Sequence, residues 1–372
     1  MINNFSKRLY SKVIASMSND YADNHDSYRF GSDDENYRKS LKEKFKYKYI
    51  YPRYVPKNRT IHFIEQTSDF LSKYGEKLEF LYNLIEDEES KSLLVDIIAY
   101  RLLGKRKVKL DTNTPEFWKL SEESYNYADK SDFIDLNFMD WRLLKTDFSK
   151  YNIPLIMYAL PQTMVFYGFL GHYTYKSSSR KIEVESDDVV FDCGGCYGDT
   201  AILFGSKAGK QGKVYSFEFI PSNIEIFNKN LALNKTIENV EIVSNPLWET
   251  SDLKLFYKDK GPNSNIQYND FEGSNGNVLT LSIDDFMERN KVSKVDFIKM
   301  DIESAELPTL KGAIKTLSKH KPKLAISIYH SMDEFVDIPA YLDSLNLGYK
   351  FYLGHYTIHA EETVIYAIAD KK

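Results

Sequence analysis

The chain has 372 residues, of which 42% are hydrophobic and 28% are charged, and its formal net charge is −5. This length accommodates one large domain or two ordinary ones, and the composition is that of a globular protein. Because binding to nucleic acid or to an anionic membrane surface needs a basic face, the negative net charge argues against both partners. The sequence shows neither a targeting segment nor an apolar stretch of membrane length, so we expect a cytoplasmic protein.

Residues 1–125 are expected to form a small, mainly helical accessory domain. Apolar residues recur at helical spacing from about Thr60, and again from Ser90 to Leu103, where Gly104 predicts the end of a helix. Residues 1–60 are polar and only weakly periodic. Nothing in this region demands chemistry, and it is open whether it caps the active site, selects the substrate or forms a homodimer.

Residues 126–185 are expected to connect this domain to the next one. Most of the segment is charged and aromatic, but an apolar stretch runs from Tyr151 to Tyr175. This stretch is either a buried packing segment or a lid over the active site. Tyr173 and Tyr175 are the residues of a lid that we expect to approach a ligand.

Residues 186–372 alternate between predicted strands and helices, as expected of a doubly wound sheet. The last two strands are joined by a short turn, so they must be antiparallel, whereas the others are joined through helices. The pattern predicts a Rossmann-like, mostly parallel sheet with a terminal antiparallel hairpin. Its seven strands are predicted at 189–194, 213–219, 240–244, 295–301, 323–330, 349–354 and 361–369, and its helices at 199–208, 221–233, 282–290, 304–318 and 333–346.

The first strand of this core runs into a glycine-rich turn, Asp192-Cys193-Gly194-Gly195-Cys196-Tyr197-Gly198-Asp199-Thr200. Glycine permits positive φ and close approach of a ligand, and the following helix offers free N–H groups to an anion. An acid within the turn would repel a pyrophosphate, whereas Asp192 suits a cationic group such as the α-amino group of S-adenosylmethionine. The chain has only two cysteines, so Cys193 and Cys196 lack the further ligands of a zinc site and are interpreted as small turn residues.

Further candidate site residues lie where the other strands end, since ligands of open α/β sheets bind beyond the carboxyl ends of the strands. Glu218 follows Asp192 by 218 − 192 = 26 positions and suits the two ribose hydroxyls of a nucleoside. Phe219 comes next in the chain. Asn245 follows the third strand and is placed to reach the edge of an adenine.

Asp301 ends the fourth strand and His330 the fifth. His330 is the first candidate for a general base, because an unperturbed imidazole titrates close to neutral pH. Asp301 is the second candidate, or the partner that orients His330. The same two residues are also potential ligands of a divalent ion, but the linear sequence shows no clear carboxylate set, so no metal site is predicted. His355 and His359 are weaker candidates.

Four stretches between about Val189 and Ala369 resemble the FkbM family of S-adenosylmethionine-dependent methyltransferases: Phe191–Thr200, Phe217–Asn223, Phe297–Glu306 and Glu361–Ala367. The third resembles the family pattern Ile-Lys-x-Asp-x-Glu-Gly-Ala-Glu, with Ser304 in place of glycine. The resemblance implies a class I methyltransferase fold and O-methylation of a sugar or another polyhydroxy small molecule. It also implies S-adenosyl-L-methionine as the cofactor, bound by Asp192, Gly194, Gly195, Tyr197, Gly198, Asp199, Thr200, Glu218, Phe219, Asn245 and Asp301.

Two other classes of function remain open at this point. An NAD(P)-dependent oxidoreductase shares the Rossmann-like sheet, although the acid in the turn and the terminal hairpin argue against it. A cofactor-binding scaffold without catalysis is the second alternative, with the helical region acting as an interaction module.

Overall fold

A computed structural model describes residues 4–30, 59–136, 141–178, 180–259, 261, 264–267 and 269–370. The chain divides into two compact units. One comprises Met1–Ser121 and His355–Glu362, and the other comprises Glu122–Gly354 and Thr363–Lys372.

The first unit is mainly helical in its described residues. Its helices are α1 (Asn4–Ser16), α2 (Ser27–Phe30), α3 (Arg59–Leu84) and α4 (Glu88–Leu103), with α5 (Pro115–Tyr127) next along the chain. Helix α4 begins where the Asp87 carboxylate accepts a hydrogen bond from the Ser90 N–H and ends at Gly104, as predicted. No helix among the described residues is both long and apolar enough to cross a membrane.

Helix α1 was not predicted. Phe5, Leu9 and Val13 are fully buried on one face of it, at a spacing of four residues. The polar residues between them obscured this periodicity in the sequence. The remainder of the weakly periodic N-terminal segment, residues 31–58, lies outside the described residues.

The segment predicted as connecting material contains regular structure. Strands β1 (Ala128–Asp135), β2 (Arg142–Asp147) and β3 (Ile156–Ala159) form an antiparallel sheet in the order β1-β2-β3. Alternate side chains of β1 are exposed and several are charged, so this strand has no apolar run to reveal it. A 3₁₀ turn (Phe148–Tyr151), a π-helix (Val165–Phe169) and the short paired strands β4 (Tyr175–Lys176) and β5 (Lys181–Ile182) complete the segment.

The predicted seven-stranded sheet is present in the second unit. Its strands lie in the order β14-β15-β13-β12-β6-β7-β8. The pairs from β13 to β8 are parallel and β15 is antiparallel to β13, which confirms a mostly parallel sheet with a reversed strand near its edge. The strands are β6 (Val189–Cys193), β7 (Lys213–Phe217), β8 (Val240–Val243), β12 (Phe297–Met300), β13 (Lys323–Ser327), β14 (Tyr349–His355) and β15 (Thr363–Ala369).

Between β8 and β12 the chain forms a separate antiparallel sheet of strands β9 (Lys254–Lys258), β10 (Asn265–Gln267) and β11 (Gly276–Leu279). The remaining helices are α6 (Asp199–Ala208), α7 (Pro221–Leu233), α8 (Ile283–Arg289), α9 (Glu306–Lys311), α10 (Ile314–His320) and α11 (Met332–Ser344).

The single helix predicted at 304–318 is divided into α9 and α10 at Gly312 and Ala313. Gly312 packs so closely against the backbone of Trp248 and Glu249 that a Cβ atom there would collide with the Trp248 carbonyl oxygen. The break therefore lies where the chain approaches the segment that follows β8.

The register of the sheet positions the site. Strand β12 lies between β6 and β13, and its Lys299 is the cross-strand partner of Asp192 on β6. All three strands run in the same direction, so their carboxyl ends lie side by side. The residues that follow them, the glycine turn, Asp301 and His330, are consequently brought to one edge of the sheet.

Candidate functional site

The glycine turn lies directly against the end of β12. Gly194 and Gly198 have φ values of 90° and 81°, which residues other than glycine rarely adopt. A Cβ atom on Gly194 would collide with the Asp301 carbonyl oxygen, and one on Gly198 would collide with the Phe227 ring. A Cβ atom on Gly195 would likewise collide with the Ser216 hydroxyl oxygen. The glycines thus permit close packing of the turn against neighbouring protein atoms, a reason that the sequence did not reveal.

Asp192 is completely buried and is surrounded by partners from this unit. Its carboxylate accepts hydrogen bonds from the Thr200 hydroxyl at 3.0 and 3.1 Å and from the Ser216 hydroxyl at 2.7 Å. The Lys299 ammonium lies 3.2 Å away. The cation that the turn acid attracts in the structure is therefore a lysine of the neighbouring strand.

Lys299 joins Asp192 to the turn. Its ammonium also donates hydrogen bonds to the carbonyl oxygens of Gly194 at 2.6 Å and Cys193 at 3.3 Å, and its side chain is only 3% exposed. Burial acts to lower the pKa of Lys299, but Asp192 and Asp301 outweigh it and raise the pKa above its ordinary value. Sequence reasoning missed this residue, although a lysine within the apolar run of a central strand signals a buried countercharge.

Glu218 closes the turn from the side of β7. One carboxylate oxygen accepts the Cys196 N–H and the other accepts the Ile220 N–H, each at 2.8 Å. Burial raises the pKa of this carboxyl to about 7. Each oxygen has a further lone pair, so the carboxylate retains the capacity to accept ligand hydroxyls.

The remaining predicted cofactor residues are distributed around the turn. The Tyr197 hydroxyl is buried and has no hydrogen-bond partner among the described residues. The Phe219 ring meets the Tyr257 ring edge to face at 5.8 Å. Asn245 donates a hydrogen bond to the Leu279 carbonyl oxygen at 3.0 Å.

Aromatic side chains from the segment 151–175 reach the turn and the strand ends. The Tyr167 hydroxyl donates a hydrogen bond to Asp199 at 2.9 Å, and the Tyr173 hydroxyl donates one to Asp301 at 2.9 Å. His172 stacks on Tyr173 with ring centroids 3.8 Å apart. Burial raises the pKa of the Asp199 carboxyl, although the bond from Tyr167 opposes this shift. Tyr175 packs against Tyr352 and Tyr366 instead.

Asp301 and His330 form a pair, as their positions at neighbouring strand ends predicted. The His330 Nε2 atom lies 3.3 Å from Asp301 Oδ1, and the Tyr329 hydroxyl donates to the same carboxylate at 3.3 and 3.4 Å. Burial acts to raise the pKa of Asp301, but His330, Lys299 and Tyr173 outweigh it and lower the pKa below its ordinary value.

His330 is surrounded by acids. Besides Asp301, its ring nitrogens lie 3.6 Å from Glu306 and 3.8 Å from both Glu303 and Glu334. Burial acts to lower the pKa of His330, but Asp301, Glu306 and Glu303 outweigh it and raise the pKa to about 10. The imidazole therefore does not titrate near neutral pH, which removes the reason for which the sequence favoured it as the base.

Glu306 is the least accessible acid of this group. Its side chain is completely buried at the start of α9, where it accepts the Ile302 N–H at 2.8 Å. Burial raises the pKa of Glu306 to about 7. Asp301, Glu306 and His330 each present one donor atom within 4.8 Å of the others. This carboxylate set is formed by the fold from three separate places in the chain.

His355 and His359 are not part of this arrangement. Both belong to the segment His355–Glu362 of the first unit, and both are buried. Burial lowers the pKa of His355 to about 4. Cys193 and Cys196 are free thiols, and burial raises the pKa of each.

Comparison with known proteins identifies a family domain within the chain. Residues 192–351 match the family model described as the methyltransferase FkbM domain. A search of curated proteins found no match.

Three solved structures are similar to this chain at low sequence identity. A methyltransferase FkbM from Methylobacillus flagellatus KT is 17% identical, with a TM-score of 0.49, and the match covers 80% of this chain and 60% of that one. Fibrillarin from Aeropyrum pernix, solved with natively bound S-adenosyl-L-methionine, is 13% identical, with a TM-score of 0.33 and coverage of 62% and 90%. An S-adenosylmethionine-dependent O-methyltransferase from Thermotoga maritima is 13% identical, with a TM-score of 0.30 and coverage of 51% and 62%.

The family match covers the glycine turn, Glu218, Asp301 and His330. Of the cofactor classes that the sequence left open, it selects that of the methyltransferases. Residues 192–351 therefore match a methyltransferase FkbM domain, which indicates S-adenosylmethionine-dependent methyl transfer, and the chain spans 60% of the length of the FkbM methyltransferase that it resembles.

Proposed function

We propose that this enzyme methylates a hydroxyl oxygen of a sugar or a similar polyhydroxy small molecule. The observation that carries the proposal is the Asp301–His330 pair, which lies at the ends of two adjacent strands, beside the glycine turn. A hydroxyl is a weak nucleophile, so its methylation needs a group that accepts its proton, and this pair provides one. The choice of a sugar rests on the family resemblance alone.

The residues around the turn fit the cofactor. Glu218 retains lone pairs for the ribose hydroxyls, and the Tyr197 hydroxyl is buried without a partner among the described residues. S-adenosylmethionine supplies an electrophilic methyl group when it is bound. Asp192 supports this site indirectly, because its carboxylate and Lys299 fix the shape of the turn. Phe219 is assigned to the nucleoside by the family pattern only, and Asn245 only by its position after the third strand.

Asp301 is the better placed proton acceptor of the pair. The pKa of His330 is raised to about 10, so the imidazole already carries its second proton at neutral pH. The Asp301 carboxylate is ionised. Its low pKa does not disqualify it as the base, because the hydroxyl proton of the acceptor becomes strongly acidic as the oxygen gains a methyl group. His330, Tyr173 and Tyr329 then orient this carboxylate through the contacts that they make with it.

Incubation with isotope-labelled S-adenosylmethionine and a panel of monosaccharides and nucleotide sugars tests the acceptor class. We expect label in an ether linkage, located by mass spectrometry of the product. Label on nitrogen, carbon or sulfur of the true acceptor would contradict the proposal.

The proton acceptor is tested with Asp301→Asn and His330→Gln. We expect kcat to fall at least about 100-fold in Asp301→Asn, because loss of a general base typically costs 10²–10⁴-fold. The fall should be smaller in His330→Gln, which retains a hydrogen-bonding side chain. Binding of S-adenosylhomocysteine, followed by calorimetry, is the control for folding. Unchanged turnover in both variants would show that the pair has no part in the reaction.

A further inference from the structure

Three side chains of the second unit converge beside the proposed proton acceptor. Asp301 follows β12, Glu306 begins α9 and His330 lies just after β13. One donor atom of each lies within 4.8 Å of the other two. Two carboxylates and one imidazole are a donor set that suits a divalent first-row metal ion, and three protein ligands leave coordination positions open for a substrate oxygen.

Buried polar atoms without partners mark the same place. The His330 side chain is 8% exposed, and neither of its ring nitrogens makes a hydrogen bond within the described part of the chain. The same holds for one carboxylate oxygen of Glu306 and one of Glu334, both buried. Buried polar groups are nearly always paired, because an unpaired one costs about 1–3 kcal/mol. These atoms therefore indicate a partner that the protein itself does not supply.

The charge around His330 has the sign that attracts a cation. Carboxylate oxygens of Asp301, Glu303, Glu306 and Glu334 lie 3.3 to 3.8 Å from its ring nitrogens. A protonated imidazole contributes one positive charge against four acids. Crowded carboxylates are the usual ligands of divalent cations, whose charge offsets the mutual repulsion of the acids.

We propose that Asp301, Glu306 and His330 bind a divalent metal ion of the Mn²⁺ type, which holds the acceptor oxygen against Asp301. The ion displaces the second proton of the His330 imidazole to solvent, because the ligand nitrogen needs its lone pair. Glu303 and Glu334 lie slightly farther from the ring and flank the ion. The inference rests on the proposed function, because it concerns the same strand ends. Ion binding, however, is measured without the methyl-transfer reaction.

Glu306→Gln is the sharpest test of the ligand set. Glutamine has the same shape, and its amide oxygen can still accept the Ile302 N–H, but it lacks the charge that binds a metal. His330→Gln is the second variant, and Glu238→Gln, which replaces an exposed acid of the same unit, is the matched control. Full-length protein is dialysed against EDTA and then against metal-free buffer, and Mn²⁺ is titrated by calorimetry and by electron paramagnetic resonance.

We expect one Mn²⁺ ion to bind per wild-type chain. The affinity should fall on the order of tenfold or more in Glu306→Gln and in His330→Gln, since even changes to residues behind metal ligands cost 10- to 100-fold. Glu238→Gln should match the wild type. All four proteins should bind S-adenosylhomocysteine, which shows that a variant with weak Mn²⁺ binding is folded.

Two results would overturn the metal site. Wild-type protein that binds S-adenosylhomocysteine but neither Mn²⁺, Mg²⁺ nor Zn²⁺ would show that the imidazolium is the only cation of the cluster, and the proposed function would stand. Wild-type affinity for Mn²⁺ in both variants would place the ion elsewhere. Failure of the proposed function has a different signature, namely Mn²⁺ binding without methylation of any hydroxyl.

Discussion

Lys299 and Asp192 are a charged pair inside the central sheet, with side chains that are 3% and 0% exposed. The free energy of unfolding should fall by about 3–5 kcal/mol in Lys299→Met, because an uncompensated carboxylate is left buried. Asp192→Asn should cause a loss of similar size by leaving the ammonium unpaired. Urea denaturation of both variants and of the double variant measures the coupling. The double variant should lose clearly less than the sum, and additive losses would show that the two charges do not stabilise each other.

Ser304 adopts a backbone conformation that favours glycine. Its φ is 74°, and Glu303 before it also has a positive φ of 54°. The family pattern has glycine at the position of Ser304, and the structure supplies the reason, since a Cβ atom in this region costs about 1–2 kcal/mol. Ser304→Gly should therefore raise the free energy of unfolding by about 1 kcal/mol, after the greater freedom of glycine in the unfolded chain is subtracted.

Ser304→Ala is the control for this substitution, because it removes the hydroxyl and keeps the Cβ atom. It should leave the urea midpoint close to that of the wild type. An equal gain from glycine and alanine would mean that the hydroxyl, rather than the backbone, is the unfavourable feature.

At the scale of elements, the turn between β6 and α6 combines positive φ with close packing. Gly194→Ala should lower the free energy of unfolding because alanine is unfavourable at φ 90° and because its Cβ would collide with the Asp301 carbonyl oxygen. Gly209→Ala provides a matched control at the other end of α6. Gly209 has φ 69°, but no atom lies within 4 Å of its Cβ position.

The difference between these two variants isolates the collision. We expect Gly209→Ala, at φ 69° and ψ −174°, to cost about 1–3 kcal/mol and Gly194→Ala to cost about 1–3 kcal/mol more, as overpacking does in a protein core. Calorimetry with S-adenosylhomocysteine should show weaker binding only for Gly194→Ala. Equal losses in stability would mean that the turn can move away from β12 without cost.

The elements most accurately predicted from sequence are those bounded by glycine and proline. Helices 199–208 and 221–233 have the predicted bounds, because Gly198, Gly209 and Pro221 mark their ends and their apolar residues face the sheet. The antiparallel sheet β1–β3 was missed because β1 presents charged side chains to solvent and because β2 and β3 are short. Helix propensity and strand pattern are local signals, and neither reports a sheet that is stabilised mainly by pairing.

Only those site residues that follow adjacent strands could be predicted from the sequence to lie together. Because adjacent parallel strands end at the same edge, Asp301 and His330 could be expected to meet. The partner of Asp192 could not be foreseen, since it depends on the register that places Lys299 beside it. Nor could the acids around His330, because Glu306 and Glu334 reach it from two helices whose positions are set by tertiary packing.

At the scale of the whole molecule, stability should depend on pH through carboxyls that the fold buries. Burial raises the pKa of Glu218 from 4.5 to about 7, so the folded chain holds a proton over this interval that the unfolded chain releases. The stability that this proton provides is fully present below pH 4.5 and is lost as the pH rises through 7. Glu306 acts in the same direction over a similar interval, and His330 acts between 6.5 and about 10.

The free energy of unfolding of the wild type should therefore fall as the pH rises from 4.5 to 7. The contribution of Glu218 to the slope is at most about 1.4 kcal/mol per pH unit, the value for one proton. Glu218→Gln keeps an oxygen acceptor for only one of the Cys196 and Ile220 N–H groups, which lowers its stability by an amount that does not depend on pH, and it has no proton to release. Urea denaturation at several pH values, in EDTA, should show a shallower decline in this variant up to pH 7 and parallel curves above it. Parallel curves throughout would mean that Glu218 titrates alike in the folded and unfolded chains, which is incompatible with a buried carboxyl at the end of β7.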